Sequence, residues 1–201
     1  MNVKVCGMRD DQNIRKLVAH GNVNYLGLIF VPESPRCVTK PIGNTPVPIV
    51  GVFVNPTKEE VIEKTAEFNL DLIQLHGEES PDFVKEIHET VKPVIKTLSV
   101  AQKEDLDQAM AYEGCCQFFL FDTKTPLRGG SGKKFDWKLI DNYHGSVPFF
   151  LSGGISGEDA EEIKRISHPA FYGIDINSRF ETRPGQKDIE QINTFIKKLA
   201  Q

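Results

Sequence analysis

Residues 48–75 read PIVGVFVNPTKEEVIEKTAEFNLDLIQL and give the clearest indication of the fold class. PIVGVFV and LDLIQL are nearly continuous apolar runs, which is typical of parallel strands that are buried on both faces. Between them, Thr57 precedes an acidic turn and an apolar stripe, which predicts a capped helix. The stretch is therefore predicted to be a strand–helix–strand unit.

The same pattern recurs along the whole chain. Eight apolar, β-rich runs are present: VKVC at 3–6, YLGLIF at 25–30, PIVGVFV at 48–54, LDLIQL at 70–75, KPVIKTL at 92–98, QFFLFD at 117–122, VPFFLS at 147–152 and AFYGID at 170–175. Helical patterns follow Ser80 and Ser156, whereas 33–46, rich in Pro, Ser and Thr, is the weakest helical segment. Eight units of about 25 residues each predict an α/β fold, a compact (β/α)8 TIM barrel with one domain over residues 1–201.

The composition is that of an ordinary globular protein. The hydrophobic fraction is 39%, the charged fraction 26% and the net charge −4, which gives no reason to expect nucleic-acid or membrane binding. The N-terminus enters an apolar strand without the pattern of a signal peptide, so we expect a cytoplasmic protein. Cys6, Cys37, Cys115 and Cys116 lack C-x-x-C spacing, which indicates neither a disulfide framework nor a zinc site.

Polar residues end several of the runs, and the carboxyl ends of the strands form the active site in barrels of this type. Cys6 ends the first run and is a candidate general base or nucleophile; the alternative is a small buried apolar residue. Asp122 follows FFLF and is a candidate general acid, although it could equally cap the next loop. His76 is a weaker candidate, because a histidine in such a place is more often structural.

The loops after runs seven and eight are candidates for a phosphate site, which is their usual role in such barrels. Gly153 and Gly154 allow backbone N–H groups to approach an anion, and a tight turn that needs glycine is compatible with that role. Asn177 and Ser178 could add amide and hydroxyl donors. Arg179 could add a guanidinium, or pair with Glu181 at the surface.

Three other features bear on function. Arg36 in the SPR segment is a candidate fork for a carboxylate, or a solvated loop arginine. The GGSGKK segment lacks the spacing of a nucleotide-binding phosphate loop, so loop 124–134 is expected to close over a substrate. Lys96, near the end of run five, would be the Schiff-base amine if the protein were an aldolase.

Eight segments resemble phosphoribosylanthranilate isomerases over nearly the whole chain: VKVCGMRD, GLIFVPESPR, VGVFVN, IQLHGEE, LFDTKTPLRGGSGKKFDW, LSGGI, GIDINSRFE and PGQKD. The resemblance implies an Amadori rearrangement in tryptophan biosynthesis, on a small phosphorylated substrate, with no metal or organic cofactor. We expect a monomer or homodimer. The resemblance also implies that Cys6 is the general base, Asp122 the general acid and Arg36 the group that binds the anthranilate carboxylate.

The resemblance extends to the rest of the site. It implies that the phosphate site is lined by Gly153, Gly154, Asn177 and Ser178, with supporting substrate-binding positions at Asp175 and His76. Sister barrels of the histidine pathway typically carry aspartate where Cys6 stands, whereas Arg179 and Cys37 depart from the small and aromatic residues usual in the family. A histidine-pathway isomerase and a catalytically silent barrel that binds a phosphorylated metabolite remain as alternatives.

Overall fold

Eight parallel strands close into a barrel in the computed structural model, which describes residues 1–123 and 136–201. The strands are β1 (Asn2–Val5), β2 (Tyr25–Ile29), β3 (Ile49–Phe53), β4 (Leu72–Leu75), β5 (Val94–Val100), β6 (Phe118–Thr123), β7 (Phe149–Leu151) and β8 (Phe171–Ile176). Each strand pairs with the next, and β8 pairs with β1, so that Val5 lies opposite Ile176. The predicted TIM-barrel fold is confirmed.

Helices cover much of the outer surface of the barrel. The α-helices are α1 (Asp11–Val18), α2 (Lys58–Phe68), α3 (Pro81–Thr90), α4 (Ala160–Lys164) and α5 (Ile189–Ala200). Thr57 and Ser80 cap α2 and α3, as their sequence patterns predict, because their side chains accept the amide N–H groups of Glu60 and Phe83. The 3-10 helices Lys103–Tyr112 and Trp137–Asn142 lie between β5 and β6 and before β7.

The connection between β2 and β3 contains no helix. Residues 30–48 are fully described and form turns and extended chain, which includes the segment 33–46 that was the weakest helical prediction. Pro32, Pro35, Pro41 and Pro46 remove backbone donors there, and each disfavours the helical conformation of the residue that precedes it. The second βα unit is therefore a strand followed by a loop.

Apolar side chains fill the barrel toward the end where the strands begin. This interior cluster consists of Val50, Leu72, Ile95, Phe118, Leu120 and Phe150, with Tyr25 and Tyr172 packed against it. The ring of Phe150 meets those of Tyr25 and Phe118 edge-on, at centroid distances of 5.6 and 5.4 Å. A larger apolar cluster lies between the sheet and the helices. The polar interior is thus confined to the opposite, carboxyl end of the strands.

A short antiparallel hairpin lies between β8 and α5. Its strands are β9 (Glu181–Arg183) and β10 (Gln186–Lys187), and Gly185 in the turn has a φ of +80°, where glycine is favoured. The 3-10 helix Ser178–Phe180 connects β8 to this hairpin. None of the helices in the described ranges has the length and apolar character needed to cross a membrane.

Candidate active site

The carboxyl ends of the strands bring the predicted polar residues to one mouth of the barrel. Cys6 follows β1, and its amide N–H donates to the carbonyl of Ile176 at 2.9 Å. His76 follows β4 and is fixed in the same way by the carbonyl of Phe53, at 2.8 Å. Asp122 is the penultimate residue of β6. The sheet ladder therefore extends to the residues that carry the candidate chemistry.

The side chain of Cys6 is buried beneath the mouth, with 5% of the residue exposed. Gly27 of β2 makes room for it, since a Cβ at position 27 would lie 2.8 Å from the sulfur. Burial raises the pKa of the Cys6 thiol, Lys4 opposes this effect, and Asp175 adds to it. The raised pKa favours the protonated thiol in the free protein at neutral pH.

Asp175 and Lys4 form a buried ion pair inside the barrel. Lys4 Nζ lies 3.0 Å from Asp175 Oδ2, and the two residues are 0% and 6% exposed. Asp175 Oδ1 is buried and has no hydrogen-bond partner among the described residues. Burial raises the pKa of the Asp175 carboxyl, Lys4 opposes the shift, and the nearby Asp122 and His76 also influence it. Asp175 is thus close to Asp122 and His76 as well as to Cys6.

His76 faces the candidate acid. Its Nε2 lies 3.4 Å from Asp122 Oδ2. The side-chain amide nitrogen of Gln74 lies 2.9 Å from Nδ1 of the same ring. Asp122 Oδ1 accepts the amide N–H of Thr123 at 2.9 Å. Asp122 therefore caps the start of the next loop and also presents an oxygen to the mouth.

Arg36 is held at the edge of the mouth and is not a solvated loop arginine. Its side chain is 14% exposed, and its Nε and Nη2 donate to Glu181 at 2.7–3.1 Å. Gly7, next to Cys6, has a φ of +72°. A Cβ at Gly7 would lie 2.8 Å from Arg36 Cδ and 2.7 Å from Asn177 Oδ1. Glycine at this position therefore allows both side chains to approach the mouth beside Cys6.

The predicted phosphate loops have the backbone conformation that their glycines suggest. Gly153 and Gly154 have φ values of +90° and +70°. A side chain at position 153 would collide with Thr123. Glycines in this conformation allow the backbone to approach a ligand closely, which is compatible with an anion site. Ser178 begins the 3-10 helix after β8, and Arg179 lines a cavity of about 670 Å³ together with Gly154.

Three charged residues near the mouth were not predicted from the sequence to belong to the site, although Glu181 was considered as a surface partner of Arg179. Lys4 forms the ion pair with Asp175, and Glu181 binds Arg36 and Lys187. The side chain of Lys187 is completely buried, and its Nζ also donates to Asn177 Oδ1 at 2.6 Å. The one available signal was a lysine inside the otherwise apolar run VKVC, since a charge in a buried strand needs a partner.

Lys96 lies on the outer side of the sheet, against the loop that follows His76. Its Nζ is 2.7 Å from Glu79 Oε2 and 2.8 Å from the carbonyl of Gly77, and it lies over the ring of Tyr112 in the 3-10 helix. A buried lysine that is paired in this way is not available as a Schiff-base amine, so the aldolase alternative loses its candidate nucleophile. The loop 124–134, expected to close over a substrate, lies outside the described residues.

Comparisons with known proteins point to one family. A family model described as N-(5'phosphoribosyl)anthranilate (PRA) isomerase matches residues 3–198. The N-(5'-phosphoribosyl)anthranilate isomerase of Parabacteroides distasonis is 44% identical over 207 residues, which cover 99% of this chain and 93% of that relative. That of Phocaeicola vulgatus is 42% identical, with 100% and 98% covered.

Solved structures of the same kind have the same barrel. The phosphoribosyl anthranilate isomerase of Thermotoga maritima superposes with a TM-score of 0.86 at 33% identity, covering 100% of this chain and 98% of that one. A phosphoribosyl anthranilate isomerase in complex with reduced 1-(o-carboxyphenylamino)-1-deoxyribulose 5-phosphate superposes with a TM-score of 0.83 at 29% identity and the same coverage. From the family match, the relatives above 40% identity and the shared barrel, we conclude that this chain is an isomerase that belongs to the N-(5'-phosphoribosyl)anthranilate isomerase family.

Proposed function

We propose that this chain converts N-(5-phosphoribosyl)anthranilate to 1-(2-carboxyphenylamino)-1-deoxyribulose 5-phosphate, a step of L-tryptophan biosynthesis, with Cys6 as general base and Asp122 as general acid. The observation that carries the proposal is the convergence at one mouth, since Asp175 lies within electrostatic reach of both Cys6 and Asp122. An Amadori rearrangement needs one general acid and one general base within reach of adjacent sugar atoms. Family membership supplies the reaction class.

The first step opens the furanose ring. Asp122 donates a proton to the ring oxygen as the bond from that oxygen to C1′ breaks, and the lone pair of the anthranilate nitrogen forms the C=N bond of a protonated imine. His76, whose Nε2 lies 3.4 Å from Asp122 Oδ2, orients the carboxyl group and stabilises the carboxylate left after proton transfer. The polar network behind His76 keeps the ring in this orientation.

The second step removes the proton on C2′. The Cys6 thiolate takes this proton, the electron pair forms the C1′=C2′ bond, and the imine nitrogen is neutralised. The resulting enolamine tautomerises to the ketone product. The cationic imine is itself the electron sink, so the proposed mechanism assigns no metal or organic cofactor. The same cation favours the thiolate over the thiol in a site where burial otherwise raises the pKa of Cys6.

The remaining residues bind the two ends of the substrate. Arg36 is proposed to bind the anthranilate carboxylate through the guanidinium edge that Glu181 leaves open. Asp175 Oδ1, which lacks a partner among the described residues, is suited to accept a hydrogen bond from a sugar hydroxyl. The phosphate is assigned to the backbone N–H groups and side chains of Gly153, Gly154, Asn177 and Ser178.

The proposed reaction needs one barrel only. All of the assigned residues lie at the mouth of a single chain, so a monomer or a homodimer in the cytoplasm could carry it out. The relative from Thermotoga maritima is described as a dimeric enzyme. No nucleic acid or membrane takes part in the proposed chemistry.

The proposal is tested by following the loss of anthranilate fluorescence from freshly generated N-(5-phosphoribosyl)anthranilate. We expect rapid turnover by the intact protein, and a loss of about 10²- to 10⁴-fold in kcat for Cys6→Ala and for Asp122→Asn, because each removes one proton transfer. Cys115→Ala and Asp107→Asn are matched controls at exposed or partly exposed positions away from the mouth, and both should keep full activity. Circular dichroism should show that all four variants are folded.

The outcomes separate the reaction from the residue roles. No turnover by the intact, folded protein would contradict the proposed reaction and favour a barrel that binds a phosphorylated metabolite without converting it. Turnover that Cys6→Ala or Asp122→Asn leaves near the intact level would refute the role of that residue while keeping the reaction.

A further inference from the structure

A network of charged side chains joins the β9–β10 hairpin to the two sides of the mouth that are proposed to bind the substrate carboxylate and the substrate phosphate. Glu181 begins β9, and its carboxylate accepts hydrogen bonds from Arg36 Nε and Nη2. Lys187 of β10 donates to the same carboxylate at 2.7 Å, and the amide N–H of Gly185 donates to it at 3.1 Å. The side chain of Glu181 is 4% exposed. One buried carboxylate therefore fixes two cations.

The geometry leaves one edge of the Arg36 guanidinium available. A guanidinium has a lateral edge, formed by Nε and one terminal nitrogen, and an end edge, formed by the two terminal nitrogens. Glu181 occupies the lateral edge, because its contacts are to Nε and Nη2. Arg36 Nη1 has no hydrogen-bond partner among the described residues. The end edge can therefore bind a second carboxylate without breaking the first pair.

Lys187 carries the network to the loop after β8. Its Nζ donates to Asn177 Oδ1 at 2.6 Å as well as to Glu181. Its backbone is fixed to α1, since the Lys187 amide N–H donates to Asn13 Oδ1 at 2.8 Å and the Asn13 side chain returns a bond to the Lys187 carbonyl at 3.0 Å. The hairpin is thus anchored to α1 on one side, and on the other side it holds Arg36 and Asn177 at the mouth.

The charge state of Glu181 is suited to this arrangement. Burial alone would raise the pKa of the Glu181 carboxyl, but hydrogen bonds from Arg36, Lys187 and Gly185 hold it below its ordinary value. The carboxylate is therefore ionised throughout the neutral range. An ionised acceptor makes the shorter and stronger bonds that keep a long arginine side chain in one rotamer.

We infer that Glu181 is a positioning residue for the reaction proposed above: it holds the lateral edge of Arg36 so that the end edge faces the substrate carboxylate, while Lys187 holds Glu181 and Asn177 in place. This inference rests on the proposed function. It adds a requirement that the carboxylate end of the substrate is bound by a pre-oriented arginine, which lowers the entropy lost on binding. Neither Glu181 nor Lys187 touches the reacting atoms in this scheme.

The test is steady-state kinetics of Glu181→Gln with N-(5-phosphoribosyl)anthranilate, with Glu190→Gln on the exposed face of α5 as the matched control. Loss of a charge-assisted pair that orients the binding group should raise KM about 10- to 100-fold and change kcat less than about threefold. Glu190→Gln should leave both constants unchanged. A protein that is merely less stable would lose active molecules, which lowers kcat and leaves KM unchanged.

Glu181→Asp keeps the test decisive if Glu181→Gln does not fold. Aspartate retains the charge that Lys187 needs but is one methylene shorter, so it cannot satisfy Arg36 and Lys187 together. We expect near-normal stability with KM still raised. We also expect the KM increase of the Arg36→Met and Glu181→Asp double variant to be at least about fivefold below the product of the two single increases, since both act through one guanidinium.

The results distinguish this inference from the proposed function. If the intact protein does not turn over the substrate, the proposed function fails and this inference with it. If the intact protein is active but the folded Glu181 variants keep KM within about threefold of normal, or if the two KM increases simply multiply, the inference alone is overturned.

Discussion

At the scale of single residues, Cys6 is governed by two opposing effects. Burial raises the pKa of its thiol, and Lys4 beneath it stabilises the thiolate. Lys4 is itself held by Asp175 at 3.0 Å. The ion pair therefore places a fixed cation under the candidate base, in a part of the barrel where charge is poorly screened.

The pH dependence of kcat/KM should reflect this balance. Because the thiol pKa is raised and the proposed base is the thiolate, kcat/KM should increase as the pH rises from neutral into the alkaline range. Lys4→Met removes the group that favours the thiolate, so the pKa of Cys6 should rise further and the rising limb should move to higher pH. The measurement is a pH–rate profile from the fluorescence assay, with Lys16→Met on the exposed face of α1 as control.

Lys4→Met is a usable variant because Asp175 can adapt to it. The pKa of the Asp175 carboxyl is already raised by burial, so the residue can take up a proton when its partner is removed. A profile in which Lys4→Met and Lys16→Met both superimpose on that of the intact protein would show that Lys4 does not influence the base.

At the scale of elements, the loop between β4 and α3 is fixed by a buried ion pair on the outer side of the sheet. Glu79 Oε1 accepts the amide N–H groups of Asn55 and Gly77, and Lys96 Nζ binds Glu79 Oε2 at 2.7 Å. Both charged side chains are 2% exposed. The loop follows His76 directly, so the pair supports the element that carries this residue.

Removing one member of this pair should destabilise the protein strongly. Lys96→Met leaves the Glu79 carboxylate buried without its cation, which should lower the free energy of unfolding by about 3–5 kcal/mol. Lys85→Met breaks the exposed pair with Glu89 and should cost about 0–1 kcal/mol. Urea unfolding followed by circular dichroism measures both values, and equal values for the two variants would show that the Lys96 pair contributes no more than an exposed pair.

The elements also show which parts of the structure the sequence could predict. Continuous apolar runs predicted all eight strands, because burial on both faces leaves a strong pattern. Segment 33–46, the weakest helical prediction, is a loop because its prolines outweigh its weak helical periodicity. Side chains of a strand alternate between its two faces, so the outward orientation of Lys96 can be predicted only if the strand position is known to one residue. Sequence patterns do not give that accuracy.

The candidate site was predictable where a residue ends a strand and not where it depends on distant contacts. Cys6, Asp122 and His76 follow apolar runs, so their place at the mouth followed from the fold. Glu181 and Lys187 lie on a short hairpin, and only the three-dimensional structure shows that they bind Arg36 and Asn177. No periodicity marks a pairing across 145 residues of chain, as between Arg36 and Glu181.

At the scale of the whole molecule, the two ends of the barrel have different physical tasks. The interior where the strands begin is filled by aromatic and aliphatic side chains, including Phe150, which is fully buried. The opposite end holds charged groups such as Asp175, whose burial is only partly compensated. Packing at one end therefore supports a mouth whose polar groups are themselves costly to bury.

This division predicts opposite effects for variants at the two ends. Phe150→Ala should lower the free energy of unfolding by about 3–5 kcal/mol, because it removes a buried ring and leaves a cavity between Tyr25 and Phe118. At a temperature where the variant is folded, its kcat should remain close to normal, since the mouth lies beyond this layer. Asp122→Asn should show the reverse, with stability nearly unchanged and kcat strongly reduced. Urea unfolding and the fluorescence assay on the same samples measure both effects, and a proportional loss of kcat in folded Phe150→Ala would mean that the packed layer also sets the geometry of the mouth.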